Sequence, residues 1–120
     1  MNDRFKFRVY IKYAKMMCYD VNSFYIDRLK NKITIHFDDH TKTFKFDDVV
    51  LEQCTGLKDK NGKLIYENDI VREISKKEPE WEEYVTTVEW KGCGFNLYRD
   101  DEFDFLVIGN IHNTADLLEI

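Results

Sequence analysis

Apolar and polar residues alternate from the start of the chain. Phe5, Phe7, Val9, Ile11 and Tyr13 take one set of alternate positions, and Lys6, Arg8, Tyr10 and Lys12 take the other. A period of two predicts a half-buried β-strand with one basic face. Met16 to Tyr19 reads as a second short strand or the far side of a turn. Phe24 to Leu29 and Ile33 to Phe37 flank Lys30-Asn31-Lys32, which predicts a hairpin, with Asp38-Asp39-His40 as the next turn and Thr43 to Phe46 as the next strand. Val49 to Cys54 fits a strand or a single helical turn, and Asp47 and Asp48 would suit a helix N-terminus. The β-branched Val49 and Val50 favour the extended form.

Further along, Ile70 to Ile74, Val85 to Trp90, Phe95 to Tyr98 and Phe103 to Ile108 predict four strands, with turns at Gly92-Cys93-Gly94 and at Arg99 to Glu102. Ser75 to Tyr84 is polar, contains Pro79 and carries Glu78, Glu80, Glu82 and Glu83, so it reads as an exposed loop. Asn113-Thr114 can cap a last short helix running through Leu118. Many short strands with little helix predict a mainly β fold, a short-stranded barrel or packed sheets.

The most informative stretch is Gln53 to Val71, QCTGLKDKNGKLIYENDIV. Asn61-Gly62 fits a type I′ hairpin turn, because both residues tolerate positive φ; the preceding Lys58-Asp59-Lys60 leaves a longer polar loop equally open. Asp69 stands where its short side chain can accept a backbone N–H and fix a bend. Its chemical alternative is a catalytic carboxylate or a metal ligand, but no second acid or histidine stands nearby at ligand spacing.

Cys54-Thr55-Gly56-Leu57-Lys58-Asp59-Lys60-Asn61-Gly62-Lys63, then Ile65-Tyr66-Glu67 and Asp69-Ile70-Val71, closely resemble the signature of the YopX-like family of phage and prophage proteins. Lys6-Phe7-Arg8 followed by Met16 or Met17 resembles the family's opening strand. Val107-Ile108-Gly109-Asn110-Ile111, with Asn113 and Leu117-Leu118-Glu119, resembles its closing strand and last short helix. The resemblance covers nearly the whole chain. Two positions depart from the family pattern: Asn68 stands where glycine is usual, and Tyr10 where tryptophan is common. Asn68 can still adopt a left-handed conformation. The resemblance implies a β-rich fold with an SH3-like barrel element over residues 47–120, preceded by N-terminal strands over 1–46 in one domain. It brings no activity and no catalytic residue; Gly56, Asn61, Gly62, Asp69 and Gly109 read as structural turn residues.

Composition narrows the picture. A 120-residue chain of single-domain size buries roughly two-thirds of its unfolded surface. Its aromatic content of 15% argues for a packed core rather than disorder. No apolar run is long enough to cross a membrane as a helix, and the N-terminus lacks the apolar block of a signal peptide. Cys18, Cys54 and Cys93 are scattered, without CxxC or Cys/His spacing, so neither a zinc site nor a disulfide framework is expected, and the chain reads as cytoplasmic with free thiols. His36, His40 and His112 show no spacing that would activate a cysteine. No nucleotide, hydrolase or metalloprotease motif occurs, and no cofactor is expected.

Charge is uneven. Residues 1–32 hold eight Lys/Arg against three Asp/Glu (+5), and residues 33–120 hold ten against twenty (−10). Such asymmetry can join two parts of one fold, pair subunits, or present two faces to partners. Arg4, Lys6, Arg8 and Lys12, with Tyr10 beside them, form a candidate single-strand nucleic-acid face; the plainer reading is a solvated strand face. The acidic groups Asp38-Asp39, Asp47-Asp48 and Asp100-Asp101-Glu102-Asp104 can bind a hard cation, though their spacing does not match an EF-hand loop, can mimic nucleic-acid charge toward a host factor, or simply mark charged turns. Trp81, after Pro79, is a candidate partner contact or a cover for a sheet edge; Trp90, beside Val88, reads as core. Together these features point to a non-catalytic binding or assembly module whose partner is a second copy or a host or phage protein.

Overall fold

The computed structural model describes residues 5–75, 84–91, 94–97 and 103–113. The chain is mainly β, in antiparallel sheets, and divides into two compact units, Met1–Cys54 and Thr55–Ile120. The division falls within a strand, after Cys54, whereas the family resemblance set the internal boundary at 46/47.

The first unit is built from β1 (Phe7–Ile11), β2 (Met16–Asp27), β3 (Lys32–Phe37), β4 (Thr41–Lys45) and the first part of β5 (Val49–Lys58), in the order β4-β3-β2-β1-β5. Alternation explains its core. Val9, Ile11, Ile33, Ile35, Phe37, Phe44 and Val49 form one buried cluster, with Cys18, Val21, Phe24 and Leu51 against it. Their registers agree, since Val9 faces Leu51, Ile11 faces Val49 and Ile33 faces Phe44.

Met16 to Tyr19 is part of a twelve-residue strand. The register of β2 slips between Val21 and Ser23, and Phe7 and Val9 face Val21 and Cys18 across a further irregularity. Each extra residue reverses which positions face the core. Cys18 and Phe24 therefore share a face with Val21, which alternation alone would place opposite them.

β2 ends at Asp27, earlier than Leu29. The Asp27 carboxylate accepts the amides of Leu29 and Lys30 at 3.1 and 3.2 Å, Asn31 closes the turn at φ 53°, and Leu29 is fully exposed. Residues 46–48 form one 3-10 turn, and Val49 to Cys54 is extended.

In the second unit, β5 continues to Lys58 and is hydrogen-bonded to β6 (Leu64–Tyr66). A three-stranded sheet follows in the order β11-β7-β8, from β7 (Asp69–Ser75), β8 (Tyr84–Thr87) and β11 (Phe103–Asn110). β9 (Trp90–Lys91) and β10 (Gly94–Phe95) pair as a short hairpin. Ile65, Val71, Val88 and Phe105 form the core, with Leu57, Phe95, Leu97 and Val107 packed on it. Trp90 is not core: it is exposed, and its ring meets Phe95 edge-to-face at 4.8 Å. Val88 takes the buried place. The expected terminal helix, most of the 75–84 loop and the tip of the Gly92-Cys93-Gly94 turn lie outside the described residues.

Candidate functional site

Among the described residues, the buried polar side chains are Arg8, Glu52, Thr55, Asp59 and Asp69. Arg8 and Glu52 are directly opposite in the β1–β5 ladder. The Arg8 Nε donates to Glu52 Oε1 at 2.7 Å, and both residues are almost wholly removed from solvent. The Arg8 guanidinium also lies 5.7 Å from the ring centre of Tyr19 and donates to its hydroxyl at 3.4 Å. A buried guanidinium needs a carboxylate and further hydrogen-bond partners, and this geometry supplies them.

That placement corrects the half-buried strand expected at the N-terminus. Arg8 and Tyr10 are buried as well as Val9 and Ile11, so β1 is covered on both faces. Of the basic stripe, Lys6 and Lys12 are exposed, while Arg4 lies outside the described residues. Trp81 lies outside them too. The structure therefore brings Arg8 and Tyr10 into the interior and leaves Lys6 and Lys12 at the surface.

The signature segment is a set of backbone clamps. Gly56 interrupts β5 at φ 83°, a conformation that a side chain resists. Beside it, the Thr55 hydroxyl donates to the Ile65 carbonyl at 2.8 Å and accepts the Leu57 amide at 3.1 Å. Gly62 has φ 83°, but Asn61 does not have positive φ, so the type I′ turn is excluded and the longer loop is formed. Its organiser is Asp59. One carboxylate oxygen accepts the amides of Asn61 and Lys63, each at 2.9 Å, and the other accepts the Val107 amide at 3.1 Å. The Lys60 amide adds a bond to the Phe105 carbonyl at 2.7 Å.

Asp69 fixes the next bend. Its Oδ2 accepts the Tyr66 amide at 2.8 Å, and Asn68 takes the left-handed conformation at φ 69°. The Asn68 amide donates to the Val88 carbonyl at 2.9 Å, and its own carbonyl accepts Ile111 at 3.0 Å. Gly109 sits inside β11 opposite Ile70, next to a register shift, rather than in a turn. Sequence reasoning found Asp69 from its place before an apolar run. It missed the reach of Asp59, because the decisive partner stands 48 residues away.

The Asp39 carboxyl is held below its ordinary value by its 2.5 Å hydrogen bond to His40 Nδ1 and by the charge of that ring. The His40 ring stacks on Phe37 at 4.7 Å. Burial, then the nearby Asp20 charge, pushes the Cys18 thiol up. Among the described residues, no three His, Cys, Asp or Glu side chains gather as a metal site, and no helix is long and apolar enough to cross a membrane.

The sequence matches the family described as YopX protein over residues 6–119. The chain belongs to the YopX family. Two solved structures are similar across nearly the whole chain. Protein EF1440 from Enterococcus faecalis is 27% identical with a TM-score of 0.63, covering 94% of this chain and 96% of its own. YopX from Bacillus subtilis is 20% identical with a TM-score of 0.65, covering 98% of each, and supports the fold. No curated protein matches the sequence.

Proposed function

We propose that this YopX-family chain is a non-catalytic binding and assembly protein, encoded by a phage or prophage and acting in the host cytoplasm. The observation that carries the reading is where large apolar side chains meet solvent. Phe5, Tyr13, Met16, Tyr19, Tyr25 and Leu29 are all at least half exposed, and all belong to the first unit. These exposed side chains offer apolar area that a partner surface can bury. The buried carboxylates, meanwhile, hold an arginine or backbone amides. The SH3-like barrel element implied by the resemblance belongs to the same reading; strands β7, β8 and β11 around one apolar cluster are compatible with it.

The partner is a second copy of the chain or a host or phage protein. Light scattering across a concentration series, at low and high salt, tests this together with capture from host lysate. A defined oligomer or a specific captured protein supports the proposal. Salt-sensitive retention on single-stranded DNA that weakens on Lys6→Ala and Lys12→Ala would replace it with nucleic-acid binding. Turnover of a substrate by the purified chain would overturn the non-catalytic reading.

A further inference from the structure

The end of the first unit's sheet is strand β4, residues Thr41–Lys45. Its hydrogen bonding to β3 has a definite phase. Phe37 donates its amide to the His40 carbonyl at 2.8 Å, and Phe46 donates to Asn31 at 2.9 Å. Paired residues in an antiparallel ladder alternate between exchanging both bonds and exchanging none. With Ile33 opposite Phe44 and Ile35 opposite Lys42, those pairs carry the β3–β4 bonds. Thr41, Thr43 and Lys45 therefore turn their N–H and C=O groups away from β3. Among the described residues nothing pairs with them. Such a row is a template for another strand.

We propose that β4 pairs with β4 of a second copy, antiparallel and centred on Thr43, to give a two-fold dimer with one sheet continuous through the junction. This names the partner for the assembly reading above and rests on it. The register follows from the outward groups. Centring on Thr43 places Thr43 opposite Thr43 and Thr41 opposite Lys45, so all three outward residues of each strand are paired. A shift by one position toward either end leaves one of them unpaired. The shift centred on Lys42 would also set that lysine directly against its own copy, a like-charge pair that is unfavourable in a sheet.

Side chains agree with the same register. Lysines on an edge strand commonly guard it against pairing. Here neither lysine meets a lysine directly: Lys45 faces Thr41, and Lys42 faces Phe44. Lys42 already lies 5.1 Å from the Phe44 ring centre and 5.8 Å from that of Tyr13, so an aromatic neighbour suits it. The two Lys42 residues are diagonal, about 7–8 Å apart, a distance that their flexible stems can widen. Each Lys45 is brought toward the acidic Asp38-Asp39 turn of the second copy. On the outer face, Thr34 and Thr43 share a hydroxyl hydrogen bond of 2.8 Å, and the junction extends that row into Thr34-Thr43-Thr43-Thr34. The pairing is isologous and closes at two copies. A five-residue edge is a small contact, so the dimer is concentration-dependent.

Thr43→Pro is the discriminating variant. The Thr43 N–H takes no part in the β3–β4 ladder, so proline removes an intermolecular donor and leaves the internal backbone bonds in place; the Thr34 hydroxyl bond is lost in both Thr43→Pro and Thr43→Val, so the valine variant controls for it. Light scattering of the full chain should give twice 14.5 kDa at high concentration for the wild type and 14.5 kDa for Thr43→Pro. Thr43→Val should remain dimeric, and circular dichroism should show all three folded. Thr43→Cys should give a disulfide dimer on a non-reducing gel, because facing residues lie about 5.5 Å apart at Cα. Thr41→Cys should give none above the wild-type background. A wild-type chain that stays monomeric overturns the edge pairing, and lysate capture still decides the broader binding role. A dimer that survives Thr43→Pro overturns the edge pairing while upholding assembly through another surface.

Discussion

Replacing Glu52 with glutamine keeps its shape and removes its charge. Arg8 would then remain buried at 1% exposure beside a neutral amide, where it now has a carboxylate at 2.7 Å. Breaking one side of a buried ion pair costs about 3–5 kcal/mol, because a charge held away from water loses a directly bonded carboxylate. A small domain loses stability at about 2 kcal/mol per molar urea. The urea midpoint of Glu52→Gln should therefore fall by about 1.5–2.5 M, read by tryptophan fluorescence and circular dichroism together. The double variant Arg8→Met with Glu52→Leu should recover most of the loss, because an apolar pair of similar volume needs no desolvated charges. A double-mutant cycle isolates that coupling. If Glu52→Gln cost under about 1 kcal/mol, or if the double variant were as unstable as the two single losses added, the pair would not be the buried anchor of β1 against β5.

Three further predictions come from the clamps and the surface. Asp59→Ala should cost about 2–4 kcal/mol in chemical denaturation and should speed hydrogen exchange at the Val107 amide, which loses its 3.1 Å acceptor; unchanged exchange there would refute the bridge. Asn68→Gly should change stability by no more than about 0.5 kcal/mol, whereas Asn68→Ala should lose about 1 kcal/mol, because alanine resists φ of 69°. Equal melting temperatures for these two variants would contradict the strain argument. The Asp39 carboxyl, held below its usual 3.8 by His40, contributes stability above its unfolded pKa that is lost as pH falls through the lower folded value. An NMR titration should show the Asp39 pKa moving up in His40→Ala, and an unmoved pKa would remove His40 as the cause.

Much of the fold was legible because strands write their faces into the sequence. Phe7, Val9 and Ile11 alternate, and two of the three enter the first core. Asn31 and Asn68, both short and polar, occupy left-handed positions as turn chemistry allows. The YopX signature was readable for the same reason, since Gly56, Gly62 and Asp69 meet local backbone needs within a few residues. Trp90 was misplaced because a large aromatic beside a core valine looks buried, although the short β9–β10 hairpin leaves it at the surface.

Strand periodicity, several turn positions and the family signature could be read from the chain alone, because each depends on neighbours within a few positions. Which strands are covered on both faces follows from how the strands assemble. Nothing in the first thirteen residues says that β1 lies between β2 and β5, and that position converts Arg8 from a surface cation into a buried partner of Glu52, 44 residues away. The irregularities of β2 likewise arise from fitting one strand to two neighbours, and they shift its core-facing positions where alternation cannot follow. Asp59 carries the same lesson, since its carboxylate serves a local loop and the distant Val107 amide with one charge. Burial and long-range hydrogen bonds belong to topology, and topology is set by the summed packing of all the strands rather than by any one segment.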